Sequence, residues 1–110
     1  MLIKDLKFVF GADYYPEHWP ESRWIKDANL MSELGFNIVR LAEFSWSKIE
    51  PREGEYNFGW LDEVIDLLAK KGIRAIIGTP TAAPPPWIIK EHPDILRVDP
   101  YDRRSPPGTR

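Results

Sequence analysis

Leu61-Asp62-Glu63-Val64-Ile65-Asp66-Leu67-Leu68-Ala69-Lys70-Lys71-Gly72-Ile73-Arg74-Ala75-Ile76-Ile77-Gly78-Thr79 joins a helix to a strand through one glycine. Leu61, Val64, Ile65 and Leu68 recur at helical spacing on one face. Asp62 and Glu63 sit in the first turn and Lys70 and Lys71 in the last, the charge order that opposes the helix dipole. Gly72 then stops the helix as a left-handed cap, and 73–79 continues as an apolar run without strict two-residue alternation. A strand buried on both faces reads in this way.

Upstream, the same device recurs. From Pro20 the chain places Trp24, Ala28, Met31 and Leu34 on one stripe, Gly35 closes the helix, and a second apolar run follows over 37–43. A third run, 8–14, precedes the first helix. Proline agrees with this division: all 11 lie at or before Pro20, at Pro51, or from Pro80 onward, so 21–50 and 52–79 are free for regular structure. Strand, helix, strand, helix, strand implies right-handed crossovers and a parallel sheet.

Phe8, Asn37 and Ile73 open the three runs, a spacing close to the ~31 residues per unit of an eight-unit (β/α) barrel. An open doubly wound sheet shares such an opening, but its mark is a glycine-rich turn after the first strand. Here that turn reads Gly11-Ala12-Asp13-Tyr14-Tyr15-Pro16-Glu17-His18-Trp19-Pro20, which lines up aromatics and carboxylates and cradles no phosphate. The expected class is therefore α/β, a (β/α)8 TIM barrel of which 1–110 supplies about the first three βα units. The chain is then the incomplete N-terminal portion of a barrel catalytic domain, because about three and a half units cannot close a barrel.

Composition removes several functions. Lys and Arg number 15 against 17 Asp and Glu, which leaves no electrostatic case for nucleic acid or an anionic membrane. The absence of cysteine takes disulfides, thiolate metal sites and thiol nucleophiles out of this stretch. His18 and His92, the only histidines, sit at no ligand spacing, so no metal site is expected here. Lys4, Asp5 and Lys7 interrupt any secretory apolar core, which makes the cytoplasm the default compartment. The longest uncharged run, 75–89, carries four prolines and falls short of the ~20 residues a membrane span needs.

Barrel sites gather in the strand-to-helix loops. The first such loop carries Asp13, Tyr14, Tyr15, Glu17, His18 and Trp19; the second Glu43, Phe44, Trp46 and Glu50; the third Thr79, Thr81 and Trp87. Indole rings beside carboxylates suit a sugar, whose apolar face stacks while its hydroxyls hydrogen-bond. The alternative is that long loops bury their own aromatics. Asp13 and Glu43 sit where a glycosidase holds two carboxylates across the scissile bond. They sit equally well to accept hydrogen bonds from loop backbone or from Arg40. His18, between Pro16 and Pro20, reads as a loop hydrogen-bonder rather than a base.

These motifs together carry a resemblance. Asp13 to Pro20, Asn37-Ile38-Val39-Arg40 leading to Glu43-Phe44-Ser45-Trp46-Ser47, Glu50-Pro51 with Glu53-Gly54, Tyr56, Phe58 and Trp60-Leu61-Asp62, and Thr79-Pro80-Thr81-Ala82-Ala83-Pro84 with Pro86-Trp87 resemble the start of glycoside hydrolase family 42, the β-galactosidases. The resemblance implies an eight-stranded barrel and retaining hydrolysis of terminal non-reducing β-D-galactosyl residues, with a galactoside or galacto-oligosaccharide as substrate. It implies that no catalytic residue lies in this chain, since both catalytic glutamates of the family fall beyond residue 110, at the ends of the fourth and seventh strands. The 110 residues alone are accordingly expected to be inactive.

Asp13, Tyr14, Glu43 and Trp46 become weaker candidates for substrate binding. Gly108-Thr109-Arg110 fits the family's Gly-x-Arg segment, whose arginine contacts the sugar, and makes Arg110 the first substrate-binding candidate. Some members bind zinc through later cysteines and many are trimers, so zinc and a homotrimer are implied only for a full-length protein. Two other readings stand beside this one: another barrel glycosidase acting on glucans or arabinosides, and a non-catalytic sugar-binding or assembly fragment.

Overall fold

The computed structural model describes residues 8–95 and 100–101. In chain order the elements are β1 (Gly11–Asp13), α1 (Glu21–Glu33), β2 (Ile38–Leu41), α2 (Trp46–Ile49), α3 (Gly59–Lys70), β3 (Arg74–Ile77) and α4 (Pro86–Glu91). Short 3-10 turns lie at Pro16–His18, Pro80–Ala82 and Pro93–Ile95. The chain divides into two units, one of 1–41 with 59–78 and one of 42–58 with 79–110.

The first unit holds the sheet. β1, β2 and β3 pair in that order, both pairs parallel, with Gly11 opposite Ile38, Asp13 opposite Arg40, and Ile38 to Leu41 opposite Arg74 to Ile77. Asn37 sets the entry to this ladder. Its side-chain oxygen accepts the Phe10 N–H at 2.9 Å and its amide donates to the Phe8 carbonyl, extending the pairing below β1.

Both long helices end as their glycines require. At the end of α1, Phe36 N–H reaches the Met31 carbonyl at 3.0 Å and Gly35 N–H the Ser32 carbonyl at 3.1 Å. At the end of α3 the equivalent bonds run from Ile73 to Leu68 at 2.9 Å and from Gly72 to Ala69 at 3.0 Å. These paired bonds satisfy carbonyls that a helix end leaves open. Gly35 and Gly72 have φ of +87° and +73°, the left-handed region that a side chain disfavours. The turn therefore aims Ile38 and Arg74 straight into the sheet.

The core of this unit is built by Trp24 and Ala28 of α1, Ile38, Val39 and Leu41 of β2, Leu61, Val64 and Leu68 of α3, and Ile73. Two expectations need correction. Only β2 has the buried character expected of all three strands; β1 is exposed and β3 is half-buried to exposed. β2 is the central strand, with a neighbour on each side, whereas β1 and β3 are the edges of this sheet among the described residues. Leu34, placed on the α1 stripe, is 68% exposed, because it is already the C-cap and the chain turns away there.

In the second unit, α2 is a single turn after β2 and α4 follows the 3-10 turn at Pro80. Arg52 and Glu55 form an isolated antiparallel bridge around Gly54. Neither α2 nor α4 is signalled by periodicity, since each is too short to show it. Among the described residues no helix is long and apolar enough to cross a membrane.

Candidate functional site

The segments that follow β1, β2 and β3 hold the aromatics and carboxylates singled out above. Each unit contributes one cluster.

In the first unit, Tyr14 N–H continues the ladder to the Arg40 carbonyl at 3.0 Å and so leaves the sheet in a fixed direction. Its hydroxyl donates to Asp27 Oδ2 at 2.9 Å, while Arg23 Nε donates to Oδ1 at 2.8 Å. Arg23 and Asp27 are one helical turn apart on α1, so the pair is preset by the helix. The guanidinium lies 4.9 Å from the centre of the Trp19 ring, a cation–π contact that leaves Trp19 48% exposed. Burial, then the Asp27 hydrogen bond and charge, hold the Tyr14 phenol well above its ordinary pKa. Tyr14 therefore stays protonated, with its only proton committed to Asp27.

Tyr14, Trp19, Arg23, Asp27, Leu30 and Met31 line a concavity of about 240 Å³. Asp13, at the end of β1, is exposed, and the hydrogen bond that it accepts from the Tyr15 hydroxyl is long at 3.5 Å. A carboxylate held by so long a bond can accept from an incoming hydroxyl. The His18 ring packs at 5.5 Å against Tyr15, and its backbone N–H caps the turn by donating to the Tyr15 carbonyl.

In the second unit, Ala42 follows β2 directly. It is 1% exposed and has φ +72°, and its carbonyl accepts Ser45 N–H at 3.1 Å. A left-handed non-glycine residue costs about 1–3 kcal/mol, and such strain collects at sites where the chain must be aimed. Here it aims Glu43 and Phe44, both half-buried, at the end of the central strand. Ala42→Val is expected to destabilise the full-length protein by about 1–3 kcal/mol, because a β-branched side chain fits this region worst. Ala42→Gly is expected to stay within ~1 kcal/mol, strain relief offsetting chain entropy. Denaturant midpoints of the two variants check the pair.

Glu50 is the centre of this unit. It is only 8% exposed, yet Oε1 accepts Trp46 Nε1–H at 2.8 Å and Oε2 accepts Gly54 N–H at 2.9 Å. Its backbone carbonyl accepts Trp87 Nε1–H at 2.8 Å. The Trp46 hydrogen bond first, and the Gly54 hydrogen bond second, hold the Glu50 carboxyl below its ordinary pKa. The Glu50 charge in turn raises the phenol of Tyr56, whose ring stacks on Phe58 at 5.7 Å.

Of the residues read from sequence, Tyr14 is thus tied to α1 and Trp46 to Glu50, Asp13 is open to solvent, and Glu43 is half-buried. Arg110 lies outside the described residues. Asp27 and Glu50 are the members that sequence reasoning missed as organisers. Trp46 and Glu50 are four residues apart, the spacing of neighbours on one helix turn, which was the available signal. Nothing local links Tyr14 to Asp27. Among the described residues no group of three or more His, Cys, Asp or Glu is placed to hold a metal ion.

Comparison with known proteins places this geometry. The family model of glycoside hydrolase family 42, described as β-galactosidase, matches residues 13–110. A β-galactosidase of Clostridium cellulovorans is 49% identical over 100 residues, which are 91% of this chain and 15% of the relative. One of Thermus thermophilus is 48% identical over 102 residues, 93% of this chain and 16% of the relative. The crystal structure of a β-galactosidase from the psychrophilic Marinomonas ef1 superposes with a TM-score of 0.83 at 48% identity, covering 90% of this chain and 15% of that one. The chain spans about 15% of the length of the relatives it matches.

Proposed function

The chain belongs to glycoside hydrolase family 42, and we propose that it supplies the opening strand and helix units of an eight-stranded (β/α) barrel whose full-length form is a retaining β-galactosidase. The observation that carries this reading is the family match over 13–110, which takes in β2, β3 and the segments that follow all three strands. The parallel order β1-β2-β3 is that of three successive units of such a barrel. The substrate class is a galactoside or galacto-oligosaccharide, and a homotrimer is the assembly carried over from the resemblance.

A retaining glycosidase needs a nucleophile and an acid/base carboxyl ~5–5.5 Å apart. We assign neither to this segment. Its part is to bind the sugar. Asp13 accepts a hydroxyl at the end of β1, Glu43 stands at the end of β2, Trp46 stacks, and Tyr14 contributes through its ring, since its proton is given to Asp27. The segment has no cysteine, and no residue of it is assigned to zinc.

The test is turnover by the full-length protein of nitrophenyl β-D-galactoside against the matching glucoside and α-L-arabinoside, with the first anomer released followed by NMR. A β anomer from the galactoside alone is expected. Preference for another glycoside selects the second barrel reading, and sugar binding without turnover selects the non-catalytic one.

Arg110 is assigned to galactose hydroxyls. A guanidinium is always charged and offers five donors in a fixed fork. A hydrogen bond to a charged group contributes about 1.5–3 kcal/mol, so Arg110→Ala is expected to lower kcat/KM by roughly 10- to 200-fold. Measured kcat/KM within twofold of the parent, at equal thermal stability, removes Arg110 from the site.

A further inference from the structure

Both half-buried tryptophans of the second unit end on the same residue. Trp46 gives its indole N–H to the Glu50 carboxylate, and Trp87, 37 residues beyond Glu50, gives its own to the Glu50 carbonyl. The second carboxylate oxygen is taken by Gly54 N–H, which locks the turn that follows α2. An indole has a single donor. Once that donor is spent inside the protein, the ring can offer a ligand only its faces and edges.

We propose that Glu50 is a positioning residue of the galactoside site: through its side chain and its main chain it holds Trp46 and Trp87 by their N–H groups, leaving the ring faces to stack on the sugar. The proposal rests on the reading of the function above and extends it to how the aromatic wall is fixed. It also states what that wall recognises, namely the apolar face of a pyranose and not its hydroxyls. Trp46 and Trp87 follow β2 and β3, the strand ends where barrel sites form. The carboxylate is suited to the task because an ionised acceptor makes the stronger hydrogen bond. Its lowered pKa keeps it ionised, so the hold is complete above the ordinary carboxyl value and is lost only as pH falls through the depressed one.

The experiment is a double-mutant cycle on the full-length protein with nitrophenyl β-D-galactoside. Glu50→Leu removes both acceptor oxygens at similar volume, and Trp46→Phe keeps an aromatic face without the N–H. Each is expected to raise KM about three- to tenfold with kcat changed less than about twofold, and the double variant to be no worse than the poorer single, since both break one link. Trp87→Phe is expected to raise KM in the same range. The near-ultraviolet circular dichroism of tryptophan should weaken in E50L. Effects of E50L and W46F that multiply would mean that the Trp46 N–H serves the sugar directly, and would overturn the proposal. So would an unchanged KM in E50L with an unchanged tryptophan signal. If E50L does not fold, E50Q, which keeps one acceptor oxygen for the donors of Trp46, Gly54 and Tyr56, carries the same cycle. A protein that cleaves no β-galactoside defeats the proposed function; the E50L dichroism then decides the hold on the tryptophans by itself.

Discussion

Gly11→Ala is expected to separate β1 from β2 and to cost the full-length protein ~3 kcal/mol or more, the upper end of what an unaccommodated methyl group costs. A Cβ built at Gly11 would lie 1.6 Å from the Ile38 carbonyl oxygen and 2.7 Å from the carbonyl carbon. No rotamer change relieves this, because both obstructing atoms are backbone. The ladder must open, and with it go the Asp13–Arg40 register and the Tyr14 N–H bond that aims the first loop. Gly11 is exposed, and an exposed position away from special features would change stability by no more than ~0.5 kcal/mol. The two expectations are far apart. Denaturant unfolding of G11A decides between them, with Ala12→Gly, which carries only the ~0.5–1 kcal/mol entropic cost of glycine, as the neighbouring control. Equal midpoints for G11A and the parent would mean that β1 is not held as described.

What was legible in the sequence is what is encoded locally. Gly35 and Gly72 announce two helix ends because the capping hydrogen bonds span only a few residues, and the strand that follows is then obliged to begin at 38 and 74. Val64 and Leu68 are buried where the helical period puts them. The extent of β1 was not legible. The run 8–14 is largely apolar, yet the strand itself spans only Gly11–Asp13, with single backbone bonds at Phe10 and Tyr14 beyond its ends, because pairing depends on what β2 offers opposite each residue. Site residues divide in the same way. Asp13, Glu43 and Trp46 could be named as candidates from their places at or just after strand ends. That Asp27 takes the proton of Tyr14, and that Glu50 gathers an indole from 37 residues away, are products of tertiary approach that no local spacing reports.

Trp24 carries the second large effect. It is 2% exposed in the core of the first unit, and its Nε1–H donates at 2.9 Å to the carbonyl of Pro16, itself fully buried. One side chain therefore does two things: it fills the core between α1 and the sheet, and it ties the loop after β1 to the helix that the loop leads into. Trp24→Ala removes both, and truncating a buried tryptophan costs about 3–5 kcal/mol, a large part of the ~5–15 kcal/mol by which a domain is stable. Trp24→Phe separates the two contributions. Most of the ring volume stays, and the Pro16 carbonyl keeps the Trp19 N–H at 3.0 Å but loses the indole donor, at about 0.5–1.5 kcal/mol. The expected order of unfolding midpoints is parent, then W24F, then W24A. On the proposed function, because the lost bond anchors the loop that presents Tyr14 and Asp13, W24F should also weaken galactoside binding, seen as a raised KM under conditions where the protein is still fully folded. A W24F variant that loses stability with KM unchanged would confine Trp24 to the core and detach the first loop from the substrate.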